Sequence, residues 1–253
     1  RMGSTVIGIS LFATLLSTIS YLAMPSEMIN KGPAMLFGII GLPVAYVLVG
    51  YLLIPALMRR RVTSAYELIE QRLGLIPRLL AVAMFLALRL VWMGLMVHAA
   101  AKAGSQMMGV DPAAAERAVP WIVVVCSVVA VAYTALGGLR AVVFTDVVQF
   151  LLLLGGAVLT VVLITIRMDG FQWFPTAWSP HWDQQPFFSV DPHERVTVIG
   201  SILAATLWWV ATCGSDQTAI QRFMATGNPK AARRSFMVNA IADAVVSIVL
   251  GLV

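Results

Sequence analysis

Charge is what this sequence has least of. Of its 253 residues only 11% are Asp, Glu, Lys or Arg, while 60% are hydrophobic. A soluble domain carries about 25% charged residues, and a chain this poor in charge cannot cover a globule for water. Lipid must be its solvent. Cysteine is almost absent: Cys126 and Cys213 lie inside apolar runs, which excludes a disulfide framework. His98, His181 and His193 have no metal-ligand spacing, so the first reads as packing and the others as loop residues. There is no HExxH and no phosphate-cradling GxxxxGK[ST] loop, which argues against a zinc hydrolase and an ATP-driven machine. No Ser, His and Asp set falls at one membrane depth, so the chain does not read as an enzyme. Nor are Lys and Arg clustered with base-stacking aromatics, and no nucleic-acid partner is expected. The apolar stretch after Arg1 is too long for a signal peptide and meets helix breakers instead of a cleavage site.

What the sequence does have is long apolar runs. A membrane span needs about 20 such residues, and the runs predict helices near 5–29, 34–58, 76–108, 119–136, 142–166, 196–224 and 233–253. The last stops at Val253 without a cap or polar flank, so the sequence is expected to continue. The net charge of +5 fits loops that face anionic lipid. Arg1, Arg59, Arg60, Arg61, Arg72, Arg78, Arg140, Arg222, Lys230, Arg233 and Arg234 make eleven basic residues on one side of this layout, against five on the other, Lys31, Lys102, Arg117, Arg167 and Arg195. The positive-inside rule then predicts a multi-pass inner-membrane protein with a cytoplasmic N-terminus. Residues 63–73 have helical spacing and mixed charge, as a helix on the inner surface would. The loop 167–195 falls outside, and its Trp and Phe residues read as packing at the outer interface, with an external lid as the functional alternative.

Two of the spans are interrupted. In the first, Ser17, Thr18 and Ser20 put hydroxyls at bilayer depth and Pro25 removes a backbone donor. In the sixth, Thr212, Gly214 and Ser215 interrupt the apolar run, and Asp216, Gln217 and Gln221 follow it. Irregular backbone survives at that depth only where protein or a watery cavity satisfies it. Broken helices five spans apart point to an inverted-repeat transporter with its site between them. The plain alternative is back-bonded hydroxyls and a proline kink. These residues by themselves reach as far as a transporter or a channel.

Three segments carry a more specific likeness. YTALGGLRAVVFTDVVQ (residues 133–149), SDQTAIQRFMATGNPKAARRS (215–235) and SLFATLLSTISYLAMPSEM (10–28) resemble the fifth core helix, the sixth helix with its following loop, and the broken first helix of the sodium:solute symporter family. TSAYELIEQRLG (63–74) matches as well, and the likeness is to the branch with the iodide, monocarboxylate and multivitamin transporters. It implies an all-α membrane protein with a leucine-transporter-type inverted-repeat bundle, truncated after the seventh core helix. Residues 1–167 would be the first five-helix repeat, 168–195 an extracellular loop and 196–253 the first two helices of the second repeat, all in one transmembrane domain.

The same resemblance implies the site. Na⁺, the co-transported ion, would take the backbone carbonyls of Ala13 and Leu16, with the rest of its shell on a helix beyond Val253. Asp146 would lie on the ion-release path, with a helix cap as the alternative. Ser17, Thr18, Ser20, Tyr21, Trp208, Trp209 and Thr212 would face the substrate. Trp209 aligns where the family's sugar transporters carry an amide, and Ile19 where some carry a carboxylate. A hydroxyl-rich break without a nearby acid suits a carboxylate or another small anion. Asp216, Gln217, Gln221 and Arg222 belong to the family's helix-six motif, and an internal Asp216–Arg222 contact is one expectation for them. Arg89 and Asp243 are intramembrane charges with no assigned family position, read as buried polar pairs or functional groups, and Glu27 as a gate or cap.

The expected function is sodium-coupled symport of a small solute by alternating access, with membrane lipid around the chain. Two rivals stay open. One is a sensor domain of the same fold fused to a signalling module, and the other is coupling to H⁺.

Overall fold

A computed structural model describes residues 2–16, 18–59, 64–107, 111–184, 186–191, 193–194 and 196–252, and among these all regular structure is helical. Helix α1 (Ser4–Leu15) and α2 (Thr18–Lys31) share the first span. At a rise of 1.5 Å per residue neither crosses a hydrocarbon core of about 30 Å alone. The second span, Pro33–Arg59, is one rod of changing pitch. A 3₁₀ turn (Pro33–Phe37) leads into α3 (Gly38–Val47), a π turn (Leu48–Leu53) and α4 (Ile54–Arg59). The π turn lies where the Arg233 side chain crosses Gly50 and sets its guanidinium 4.3 Å from the Tyr51 ring centre.

Next come α5 (Ala65–Leu73), α6 (Leu75–Met107) and α7 (Pro112–Arg167). The 56 residues of α7 are too many for one crossing. Gly138 divides them with φ 58° and ψ −160°, a conformation a side chain would oppose. The two apolar runs expected at 119–136 and 142–166 therefore meet at one residue instead of a loop. The sixth span is α8 (Val198–Ser215) with α9 (Gln217–Thr226), and α10 (Pro229–Gly251) is the seventh. Among the described residues five stretches are long and apolar enough to cross a membrane, as a multi-pass protein requires.

Two compact units emerge. The first contains residues 1–15, 21–65 and 146–253. Its axis is the contact of α1 with α10, which run side by side in one direction. The Met2 amide meets the Ala225 carbonyl just ahead of α10, and Gly8 presses on Ser235 and Val238. A Cβ at Gly8 would stand 2.4 Å from the Ser235 carbonyl oxygen. With no water to expel inside lipid, close backbone approach of this kind is what joins helices. On the other flank α3 lies along α8, where the Thr206 hydroxyl donates to the Gly41 carbonyl (3.3 Å). Leu11, Trp209, Cys213, Phe223 and Phe236 fill the core between these pairs. Near the other end of α2, His181 Nε2 and Trp182 Nε1 both donate to the Ile29 carbonyl (2.7 and 3.0 Å), and the Trp182 ring lies on Gly32. Trp178, Trp182 and Phe187 stack edge to face, and Phe187 reaches Phe37. The loop aromatics expected to pack at the outer interface thus pack on each other and on the helix ends.

The second unit contains residues 16–20 and 66–145. The Tyr66 and Phe85 rings (5.6 Å) and an ion pair of Glu70 with Arg78 fasten α5 to α6. Leu79, Leu80, Met84, Leu88 and Leu90 of α6 are more than half exposed, as the lipid-facing side of a span is.

Candidate functional site

The first interruption falls at Leu16, which leaves helical geometry between α1 and α2. Pro25, expected to be part of it, lies inside α2. The last four carbonyls of α1 therefore have no amide ahead of them in the helix. They form its partially negative end. The second interruption falls at Asp216 (φ −78°, ψ 118°), just beyond the expected Thr212, Gly214 and Ser215, which stay helical. Asp216 closes one helix and opens the next. Its amide donates to the Thr212 carbonyl (2.9 Å), and its carboxylate accepts from the Thr218 amide (2.8 Å).

Below these breaks a buried ion pair ties three elements together. Arg222 of α9 donates through Nη2 to Asp146 Oδ2 of α7 at 2.8 Å, and the two side chains are 4% and 10% exposed. Two α1 hydroxyls complete the cluster. Ser10 accepts from Arg222 Nε (2.9 Å) and donates to Asp146, and Thr14 does likewise, donating to Asp146 at 3.2 Å. A fourth bond runs from Arg222 Nη1 to the Thr218 carbonyl (3.1 Å). Every charge here has a partner of opposite sign and neutral donors or acceptors around it, which is what makes a buried pair tolerable. The carboxylate that pairs with Arg222 comes from another helix. Arg222, counted by sequence among the cytoplasmic surface charges, is 3% exposed.

The other expected residues are placed as follows. Ala13 is buried in α1 and Leu16 is half-buried at the break. Ser17 lies outside the described residues, as does the side chain of Thr18. Ser20 is half-buried, and the Tyr21 hydroxyl is buried with no hydrogen-bond partner among the described residues. Trp209 is 3% exposed and meets Phe236 at 5.7 Å, whereas Trp208 is 48% exposed. Thr212 serves the α8 end with its carbonyl. Asp243 on α10 has the Trp209 side chain as a hydrogen-bond partner, Arg89 is half-buried in α6, and Glu27 pairs with Lys31 one turn on (3.8 Å). Sequence reasoning missed Ser10, Thr14 and Asn239. The i, i+4 hydroxyls of the first two were a usable signal.

The whole chain, residues 1–253, matches the family model described as "Sodium:solute symporter family". The chain belongs to that family. Within it, the chain is 29% identical to the sodium/sialic acid symporter SiaT of Proteus mirabilis (strain HI4320), over 98% of its own length and 49% of the relative's. It is 27% identical to the human sodium/iodide cotransporter, over 95% of this chain and 36% of that one. A solved structure, a Na⁺-coupled sialic acid symporter in a substrate-bound outward-open state, superposes on all of this chain and 52% of its own, with a TM-score of 0.73 and 26% identity. The fold of this family member is thus that of the leucine-transporter-type symporters, and the chain spans about half the length of the first of these relatives. These relatives are transporters, so the family assignment speaks for transport and against catalysis.

Proposed function

We propose that this chain is the ion- and substrate-handling first part of a sodium-coupled symporter that moves a small organic anion, such as a carboxylate, by alternating access. The observation that carries the proposal is the family match over all 253 residues on a chain whose first and sixth spans are both interrupted. Na⁺ takes the Ala13 and Leu16 carbonyls at the end of α1, where the helix dipole favours a cation. Substrate is recognised by Ser17, Thr18, Ser20 and Tyr21 at the first break and by Trp208, Trp209 and Thr212 on α8. The N-terminus of α2 offers its positive end to the anion. Asp146 lies on the inward path and is held by Arg222 until the bundle rocks. The protein is placed in the inner membrane with its N-terminus cytoplasmic, which the bias of basic residues supports.

Sodium and substrate must then raise each other's affinity. The test is uptake into liposomes containing the full-length chain, under an inward Na⁺ gradient with K⁺ as control, for labelled carboxylates, sugar acids, amino acids and sugars. Accumulation of acids that needs Na⁺ is the expected result. Accumulation driven by a pH gradient alone, or uptake indifferent to Na⁺, would overturn it.

A further inference from the structure

The second span and α10 lie side by side and run in opposite directions. Arg233 crosses Gly50 at one end, the Tyr46 and Phe236 rings stack between (6.3 Å), and Leu36 reaches Gly251 at the other end. Leu42, Ala45, Phe236 and Ala240 belong to the core behind this seam. Its outer side is apolar and open. Val44, Val47 and Tyr51 of the second span and Met237, Ile241 and Val245 of α10 are 40–57% exposed. Steps of three or four residues keep each set on one face of its helix, and two helices side by side leave a groove between such faces.

One end of this groove is charged. Lys230 and Arg234 are exposed, and they extend the α10 stripe by the same steps, 230, 234, 237, 241 and 245. Arg233 stands at the seam itself. Its stem lies on Gly50, and its guanidinium is held 4.3 Å from the Tyr51 ring centre by cation–π attraction. Three cations therefore stand within five residues at the mouth of an apolar groove.

Nothing in the fold answers these charges. Residues 33–59 and 217–242 contain no Asp or Glu, and none of the three cations makes an ion pair among the described residues. Lys230 and Arg234 are one turn apart, where like charges repel. Cations in the first turns of a helix also add to its positive end instead of offsetting it. Helix stability does not account for the cluster, whereas an anion brought to it removes both costs. A free phosphate would use the cations and leave the groove bare. A further apolar segment of protein would fill the groove and leave the cations unanswered. An amphiphile with an anionic head and a hydrocarbon tail satisfies both.

We infer that Lys230, Arg233 and Arg234, with the groove between the second span and α10, bind one anionic phospholipid. Its phosphodiester sits among the three cations, and an acyl chain follows the apolar stripes. This is more than the general attraction of basic loops for anionic lipid, because one headgroup is held at one place. It does not depend on which solute the protein carries.

The test incubates the full-length chain in detergent with radiolabelled dioleoylphosphatidylglycerol or dioleoylphosphatidylcholine. The wild-type protein should retain the anionic lipid in preference to the zwitterionic one. Replacing Lys230, Arg233 and Arg234 together by Gln should weaken phosphatidylglycerol binding about a hundredfold. Lys230→Gln with Arg234→Gln changes exposed side chains only and should weaken it about thirtyfold, which decides the matter if the triple variant fails to fold. Arg72→Gln with Arg140→Gln removes as much charge elsewhere and should leave the preference intact. Equal retention of the two lipids by the wild type overturns the inference, as would happen if another segment of the protein fills the groove. An equal loss in the Arg72 and Arg140 variant overturns it too, since bulk charge would then be the cause. Glycerol 3-phosphate that competes as well as the lipid does would give the cations to a free anion and overturn it likewise.

Discussion

Two sets of buried polar groups lie along α1, and they are built in opposite ways. Asp146, Arg222, Ser10 and Thr14 satisfy one another completely, with opposite charges in contact and a hydroxyl on either side. Asn239 has no hydrogen-bond partner among the described residues, and Asp243 has the Trp209 indole. A closed network of the first kind fixes a geometry, and α1, α7 and α9 are held by it. An open set of the second kind leaves a buried amide without the bonds it makes in water, which costs stability. The difference separates residues that hold the protein together from residues that weaken it.

The comparison can be broken most sharply at Arg222. Arg222→Ala strands the Asp146 carboxylate in the interior and should cost about 3–5 kcal/mol, read as lost thermal stability in detergent. Replacing both partners by apolar residues of similar size should restore most of that loss, since the penalty belongs to the unpaired charge. A double variant as unstable as the single one would show that the cluster matters for more than its charges. Gly8→Val tests the contact that puts α1 and α10 in register. Its side chain meets the Ser235 backbone, and a cost of about 1–3 kcal/mol is expected. The smallest effect has the opposite sign. Asn239→Leu replaces an unsatisfied amide by an apolar group of like volume and should stabilise the protein by about 1 kcal/mol, read as raised thermal stability in detergent. If it destabilises instead, Asn239 has a hydrogen-bond partner in the folded protein.

The spans themselves were readable because lipid demands a continuous apolar run, and the runs in the sequence coincide with the helices to within a few residues, except that α7 begins at Pro112, seven residues ahead of the expected 119. Where they broke was harder to read. Proline is the strongest breaker in water-soluble helices, so Pro25 drew attention, yet α2 contains it and the chain departs from helix at Leu16. Asp216 looked like a motif residue, and its role as the cap of α9 depends on a bond from the Thr218 amide that spacing did not single out. Gly138 resembled part of a short loop and is the whole turn. Least legible were contacts between distant residues. Asp146 and Arg222 are 76 positions apart, and an arginine near the end of a span reads as a surface charge under the positive-inside rule. Asn239, set among Val and Ala, gave no periodic signal, because an amide does not mark a helix face as a charge does.

The clamp at the end of α2 has an optical consequence. Trp182 lies on Gly32 and donates its indole N–H to the Ile29 carbonyl, so its surroundings are set by the end of α2. A displacement of that half against the loop breaks the bond and hands the ring to water, where indole emission moves to longer wavelength. With the other six tryptophans of the chain replaced, Trp182 is thus a built-in fluorophore at the end of α2, and its spectrum records the position of that helix without any label being attached.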